Sequence, residues 1–229
     1  MNPYLLIGAG FTHNWGGWLS SEVFDYLLGC PEIRDDPVLK GLMWKNVGKG
    51  FEYALAEVQY QAADVASPEN KGRLSNMERA VSRMLADLNT SIIGRQIDFD
   101  GLPKSEGVTS FLARFNAIFS LNQDLFLEHQ YVSNRLGSEY LCTWSGVELP
   151  GLERISGPPS QVGAEYWSHA ILQPKANGDM TIPGYRQPLY KLHGSSNWRT
   201  NAGGNLLVMG GDKKALIKRQ PLLAAYADM

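Results

Sequence analysis

A histidine at the end of a strand-like run has a residue type and a position that suit proton transfer. In "LYKLHGSSNW" (189–198), four strand-forming residues lead directly to His193, which is followed by Gly194 and Ser195. An imidazole titrates near neutral pH, so it can accept a proton from a sugar hydroxyl or from water. Gly194 leaves space beside the ring, and Ser195 offers a hydroxyl group. The alternative is a structural histidine that hydrogen-bonds the backbone where the strand ends.

A second polar pair follows another strand-like run. In "FSLNQDLFLE" (119–128), Asn122 and Asp124 come directly after apolar residues typical of a buried strand. Open α/β sheets bind ligands at the carboxyl ends of their strands. There an asparagine can hydrogen-bond a ribose hydroxyl or position a water, and an aspartate can accept from an amide group. The alternative is an Asx cap on the helix that follows.

A glycine-rich turn near the start of the chain is the third candidate. "LLIGAGFTHNWGG" (5–17) places Gly8, Ala9, Gly10, Phe11 and Thr12 directly after an apolar strand. Two glycines around one alanine let the backbone turn sharply and approach a pyrophosphate. His13 occupies the position of the third glycine of the usual dinucleotide motif, so this motif is incomplete. A tight turn between a strand and a helix is the alternative.

Composition excludes several other kinds of site. The chain of 229 residues has two cysteines, Cys30 and Cys142, so it cannot form a four-cysteine zinc site or a disulfide scaffold. No histidine or cysteine pair has metal-ligand spacing, and we predict no metal. A net charge of −2 gives no bulk attraction to nucleic acid or to an anionic membrane. With no signal peptide and no membrane-spanning run, the sequence predicts a cytoplasmic protein that binds neither membrane nor nucleic acid directly.

The pattern of strands and helices predicts a single α/β domain over residues 1–229. We expect a Rossmann-like parallel sheet with helices on both faces, built from strands at 4–7, 117–121 and 189–192, with another strand at 205–209. A helix is predicted from about Trp18, with Ser20 or Ser21 as its N-cap. Insertions are expected at about 36–105, mainly helical, and at 142–188, irregular with one short strand. A helix is expected from Pro221, and the sheet is expected to continue beyond residue 229.

In this order, the three motifs resemble those of the Sir2 (sirtuin) superfamily. Its members have a Gly-Ala-Gly-x-Ser turn, a Thr-x-Asn-x-Asp strand end and a His-Gly strand end. Here the corresponding residues are Gly8–Thr12, Ser120–Asp124 and His193-Gly194. "KLHGS" followed by Asn197-Trp198 is similar to the bacterial SIR2-like branch, as is the segment 208–223. The resemblance extends over most of the chain, but only about 30 positions carry it.

Within that family the resemblance implies an enzyme that hydrolyses NAD⁺ at the nicotinamide–ribose bond. Deacetylating sirtuins have a four-cysteine zinc lobe and an arginine-bearing loop after the glycine turn, and this chain has neither. Protein deacylation is therefore the least favoured activity. The resemblance points instead to effectors of bacterial anti-phage abortive infection, which act as oligomers and are switched on by a sensor protein or an attached C-terminal domain. An NAD⁺- or ADP-ribose-binding module without catalysis is the second hypothesis.

The resemblance also implies a role for each site residue. Asn122 would hold the nicotinamide ribose or the attacking water, and His193 would be the base, so these two form the catalytic pair. Asp124 would contact the nicotinamide amide. The remaining NAD⁺ contacts would come from Gly8, Ala9, Gly10, Phe11, Thr12, Gly194 and Ser195. The resemblance thus implies NAD⁺ as the substrate, and we expect no metal to take part.

Overall fold

The computed structural model describes residues 3–63, 67–156 and 170–229, and these form an α/β structure. The strands are β1 (Tyr4–Ile7), β2 (Ala117–Ser120), β3 (Gly146–Glu148), β4 (Leu152–Ser156), β5 (Ile171–Pro174), β6 (Arg186–Lys191), β7 (Gly194–Arg199) and β8 (Asn205–Leu207). The helices are α1 (Ala9–His13), α2 (Ser20–Gly29), α3 (Pro31–Arg34), α4 (Pro37–Lys45), α5 (Phe51–Ala62), α6 (Pro68–Ile92), α7 (Val108–Leu112), α8 (Lys213–Lys218) and α9 (Pro221–Ala227). Short 3₁₀ turns lie at Lys104–Glu106 and Ser138–Tyr140, and a π-helical turn at Glu128–Val132.

A parallel sheet forms the base of the structure. Its strand order is β1-β2-β6-β3, and all three pairings are parallel. Ile7 pairs with Ser120, and Ser120 pairs with Lys191, so three strands end at the same level. The glycine turn, the Asn122–Asp124 segment and His193 therefore leave the sheet at one edge. The predicted α/β fold with a parallel sheet is confirmed, and it is compatible with a Rossmann-like arrangement.

A layer of helices fills the connection between β1 and β2. Parallel neighbours need a crossover connection, and here that crossover contains α1 to α7. The helices from α2 to α6 bury their own apolar cluster, which includes Phe24, Leu27 and Met84. Ser67 caps α6 by accepting from the Asn70 amide, and Pro68 is the first helical residue, a position where proline is well tolerated. The described residues between 36 and 105 are thus mainly helical.

The start of α2 differs from the prediction. The N-cap is Leu19, and Ser20 is already helical, so neither serine caps the helix. The Glu22 carboxylate accepts from the Leu19 amide at 2.6 Å and satisfies one of the free donors at this helix end. A carboxylate three residues into the helix has therefore replaced the expected serine cap. The helix ends at Gly29.

A second sheet replaces most of the predicted irregular insertion. The prediction of one short strand within 142–188 is wrong, because β3, β4, β5 and the start of β6 all lie there. The strands β4-β5-β7-β8 form a mixed sheet, with β4 antiparallel to β5 and β5 parallel to β7. These strands have three to six residues, too few for a clear periodic pattern among the prolines and glycines. Part of this insertion, 157–169, lies outside the described residues.

One large apolar cluster lies between the strands and the helices that pack on them. It includes Ile118, Leu189, Trp198, Leu223 and Tyr226, all nearly inaccessible to solvent. Helix α9, predicted from Pro221, closes this cluster, and its Tyr226 ring packs edge-on against Trp198. No helix in the described parts of the chain is long and apolar enough to cross a membrane.

Candidate functional site

Asn122 connects the ends of two neighbouring strands. Its amide nitrogen donates to the Gly8 carbonyl at 3.1 Å and to the Thr12 hydroxyl at 3.3 Å. The Asn122 backbone amide donates to the Ser120 hydroxyl at 3.1 Å, which fixes the turn after β2. Asn122 is therefore held against the glycine turn and is almost fully buried.

Asp124 completes this polar group. One carboxylate oxygen accepts from the Thr12 hydroxyl at 3.2 Å, and the other accepts from the Phe126 amide at 3.0 Å. Burial raises the pKa of the Asp124 carboxyl, and the neighbouring Lys191 opposes that rise. Asp124 is thus both a cap for the following helical turn, as one sequence hypothesis had it, and a partner of the glycine turn.

The glycine turn is open on its outer side. Ala9 and Gly10 are exposed, and a Cβ atom at Gly8 or Gly10 would meet no atom within 4 Å. The Phe11 ring instead packs inward against Trp15 and Phe126, so only its backbone faces the turn. The free space beside the Ala9–Gly10 backbone is large enough for a ligand to approach it closely.

A cavity of about 190 Å³ separates the strand ends from the helical layer. One wall holds Ala9 and the segment 121–124, and the opposite wall is mainly apolar. Its apolar lining residues are Trp18, Val23, Phe51, Met84, Leu85, Leu88 and Met209. Among the predicted site residues, Ala9, Asn122 and Asp124 line this cavity directly.

His193 lies in the turn between β6 and β7, at the border of this cavity. Its ring makes a backbone hydrogen bond with Leu121, which lines the cavity. Burial lowers the pKa of His193 below its usual range, and the Lys213 ammonium lowers it further, while Glu52 acts in the opposite direction. At neutral pH the imidazole is therefore mainly unprotonated and able to accept a proton.

Glu52 and Lys213 are residues near the site that sequence reasoning missed. Glu52 lines the cavity from α5, and its carboxylate lies 2.7 Å from the Lys213 ammonium at the start of α8. The sequence analysis did not single out Glu52, since nothing in the helical pattern distinguishes it from a solvent-exposed glutamate. The pair joins the helical layer to the C-terminal part of the chain beside His193.

The structure does not bring Gly194 and Ser195 to the cavity wall. Gly194 has a positive φ of 74°, and a Cβ atom there would lie 2.0 Å from the Leu206 carbonyl oxygen. Ser195 is fully buried, and its hydroxyl hydrogen-bonds Lys191 and Glu128. Their predicted contacts with a cofactor stay predictions, with Gly194 shaping the turn and Ser195 directed to the interior.

Two other histidines, His13 and His129, do not line this cavity. His13 Nδ1 donates to the Gly17 carbonyl at 2.9 Å, and its side chain is partly exposed. His129 is buried in the π-helical turn. Within residues 3–63, 67–156 and 170–229, no three His, Cys, Asp or Glu side chains form a group that could hold a metal ion.

A larger cavity, of about 410 Å³, lies at the far end of the second sheet. It is bounded by Pro174, Lys175, Thr200 and the start of α9. No predicted site residue lines it. Another cavity, of about 550 Å³, lies beside Trp15 and Asp98, and no predicted site residue lines it either. Volume alone would favour either of these two cavities, but the polar side chains that converge at the strand ends make the smaller cavity the better candidate for chemistry.

Comparison with known proteins assigns no family to this chain. No protein-family model matches it, and no curated protein matches it. The resemblance to the Sir2 superfamily therefore stays a prediction that depends on the three motifs.

Proposed function

We propose that this chain is an NAD⁺ glycohydrolase that releases nicotinamide and ADP-ribose. The observation that carries the proposal is the convergence of three strand ends, which brings the glycine turn, Asn122, Asp124 and His193 to one edge beside a cavity. Ligands of open α/β sheets bind at this edge. The supporting sequence signal is the order of the three motifs along the chain.

In the proposed reaction, water attacks the ribose carbon that carries nicotinamide. The carbon–nitrogen bond breaks, its electron pair neutralises the pyridinium nitrogen, and the water proton passes to His193 and then to solvent. Burial and Lys213 keep the His193 pKa low, so the ring is free to take that proton. The transition state has oxocarbenium character, so the main task of Asn122 and Asp124 is to position the ribose and the nicotinamide amide.

The cavity would hold the nicotinamide half of the substrate. At about 190 Å³ it is smaller than the ~300–1,000 Å³ typical of ligand pockets. The pyrophosphate would lie outside it, along the exposed Ala9–Gly10 backbone. In bacteria this activity would deplete NAD⁺ during abortive infection by phage, in an oligomer controlled by a sensor or an attached domain.

Nicotinamide release from NAD⁺ tests the proposal. Asn122→Ala and His193→Ala should each lower the rate, and loss of a general base at position 193 should cost about 100-fold or more. His13→Ala serves as the control, because that imidazole is partly exposed and does not line the cavity. Equal rates for the wild type and all three variants would rule out this mechanism.

A second candidate is a module that binds NAD⁺ or ADP-ribose without cleaving it. It is favoured by the Asn122 amide, whose two hydrogen bonds already go to Gly8 and Thr12, and by the small cavity. Calorimetry would distinguish the two. ADP-ribose binding that needs Asp124 and is accompanied by no nicotinamide release would select the binding module.

A further inference from the structure

A buried lysine lies directly beneath the candidate site. The Lys191 ammonium donates to the Glu128 carboxylate at 2.6 Å, to the Ser195 hydroxyl at 2.7 Å and to the Asp124 backbone carbonyl. Lys191, Glu128 and Ser195 are each at most 1% exposed. An ammonium has three protons to donate, so every donor of Lys191 has an acceptor.

This cluster joins the elements that carry the proposed catalytic residues. Lys191 ends β6, two residues before His193, and Ser195 lies in β7, two residues after it. Glu128 begins the π-helical turn after β2. Through the Asp124 carbonyl, Lys191 therefore fixes the segment that bears Asn122 and Asp124 relative to the turn that bears His193.

Stability alone does not account for an ion pair at this place. Replacing a buried ion pair with apolar residues of similar volume is often neutral or stabilising. What an apolar residue cannot supply is the hydrogen bond to the Asp124 carbonyl or a positive charge near the Asp124 carboxylate. Among the described residues, one Glu128 oxygen is buried and has no hydrogen-bond partner, so the ion pair leaves one of its own polar atoms unsatisfied there.

The two charged neighbours of Asp124 have opposite and unequal effects on its pKa. Lys191 is the opposite charge that favours its ionised form, and Glu128 is a like charge that disfavours it. The Lys191 effect on the pKa of Asp124 exceeds that of Glu128, and the Phe126 amide and Thr12 hydroxyl also favour the carboxylate. Loss of the whole pair should therefore raise the pKa of Asp124, whereas loss of Glu128 alone should lower it.

We propose that Lys191 is a positioning residue of the site, which holds the Asn122–Asp124 segment in place through the Asp124 carbonyl, with Glu128 and Ser195 holding Lys191. The effect on turnover rests on the proposed NAD⁺ hydrolysis. The effect on Asp124 does not, because it is a property of the protein without substrate.

The test compares the wild type with Lys191→Met/Glu128→Gln. In carbon-detected NMR, the Asp124 carboxyl should titrate at higher pH in the double variant, and the Phe126 amide should exchange faster with solvent. Nicotinamide release should show a kcat/KM at least tenfold lower, and its acid limb should move to higher pH. The control is Lys104→Met/Glu139→Gln, which removes an exposed ion pair of 2.8 Å distant from the cavity and should change none of these.

Glu128→Gln alone provides the second measurement if the double variant does not fold. It leaves the Lys191 cation facing Asp124, so the Asp124 titration should move to lower pH, opposite to the double variant. An Asp124 midpoint and a Phe126 exchange rate equal to the wild type in a folded variant would overturn the positioning role. If the wild type releases no nicotinamide, the proposed function fails while the titration still decides the role of Lys191.

Discussion

Gly194, directly after His193, should tolerate no side chain. Its φ of 74° lies in the left-handed region, and an added Cβ would lie 2.0 Å from the Leu206 carbonyl oxygen and 2.9 Å from its carbon. Both contact atoms belong to the backbone of the segment paired with β7, so neither can rotate away. Gly194→Ala must therefore move β7 away from β8, or rotate the turn that carries His193.

Two contributions add to the loss of stability. An alanine in the left-handed region costs about 1–2 kcal/mol, and forcing a methyl group into a packed site costs about 1–3 kcal/mol more. Gly178→Ala separates them, because Gly178 has a similar φ of 67° but open space where a Cβ would stand. For a chain of this size, 1 kcal/mol corresponds to ~2–4 °C in Tm.

Thermal unfolding followed by circular dichroism gives the comparison. Both variants should melt below the wild type, and Gly194→Ala should melt a further ~2–12 °C below Gly178→Ala, which is the contribution of the clash alone. Gly194→Ala should also lower nicotinamide release in the protein that remains folded, because the turn that holds the His193 ring has moved. Equal Tm values for the two variants would show that the close approach of the alanine Cβ to Leu206 does not lower the stability of the fold.

Two further predictions concern titrating groups. Lys213→Met removes a cation that lowers the pKa of His193, so the acid limb of the pH–kcat/KM profile should move to higher pH. Glu52→Gln removes a carboxylate that raises this pKa, so the acid limb should move to lower pH. Shifts of both variants in the same direction would contradict these assigned charge effects. The pKa of the Asp124 carboxyl is raised in the folded protein, so its contribution to stability is greatest below the ordinary value of 3.8 and is lost as pH rises through the raised value. In urea unfolding over a pH series, the stability of the wild type relative to Asp124→Asn should therefore fall with increasing pH, and a rise would refute this.

The strand ends could be predicted from the sequence because their signals are local. The predicted runs at 4–7, 117–121 and 189–192 consist mainly of apolar residues, and they are followed directly by Gly8, Asn122 and His193. Parallel strands share one edge for their carboxyl ends, so the convergence of Gly8, Asn122 and His193 followed from the fold class. The cavity itself could not be predicted from the sequence. Most of its apolar wall comes from helices that are separated from those motifs along the chain.

The buried ion pair could have been found, and the second sheet could not. Lys191 interrupts the run Leu189-Tyr190-Lys191-Leu192, and Glu128 follows the apolar run of residues 125–127, so each charge lies where burial is expected. Because a buried charge needs a partner of opposite sign, Lys191 and Glu128 could have been predicted to pair with each other. In contrast, β5 and β7 pair in register at Leu172 and Trp198, which are 26 residues apart, and no local pattern encodes that choice.

The two walls of the candidate cavity differ in how firmly they are held. The strand-end wall is fixed by in-register parallel pairing, by Asn122 on the Gly8 carbonyl and by Lys191 on the Asp124 carbonyl. On the helical wall, α6 is tied to the strand ends by Asn89, which accepts from the Leu125 amide at 2.9 Å and donates to the Ser196 hydroxyl at 3.0 Å. In contrast, α2 and α5 contribute apolar side chains and the partly exposed Glu52–Lys213 ion pair, a type of contact that contributes only about 0–1 kcal/mol. Any widening of the 190 Å³ cavity to admit a larger ligand should therefore come from movement of α2 and α5 rather than of the strand ends. The geometry of Asn122, Asp124 and His193 would then be retained when the ligand binds, as a preformed catalytic group requires.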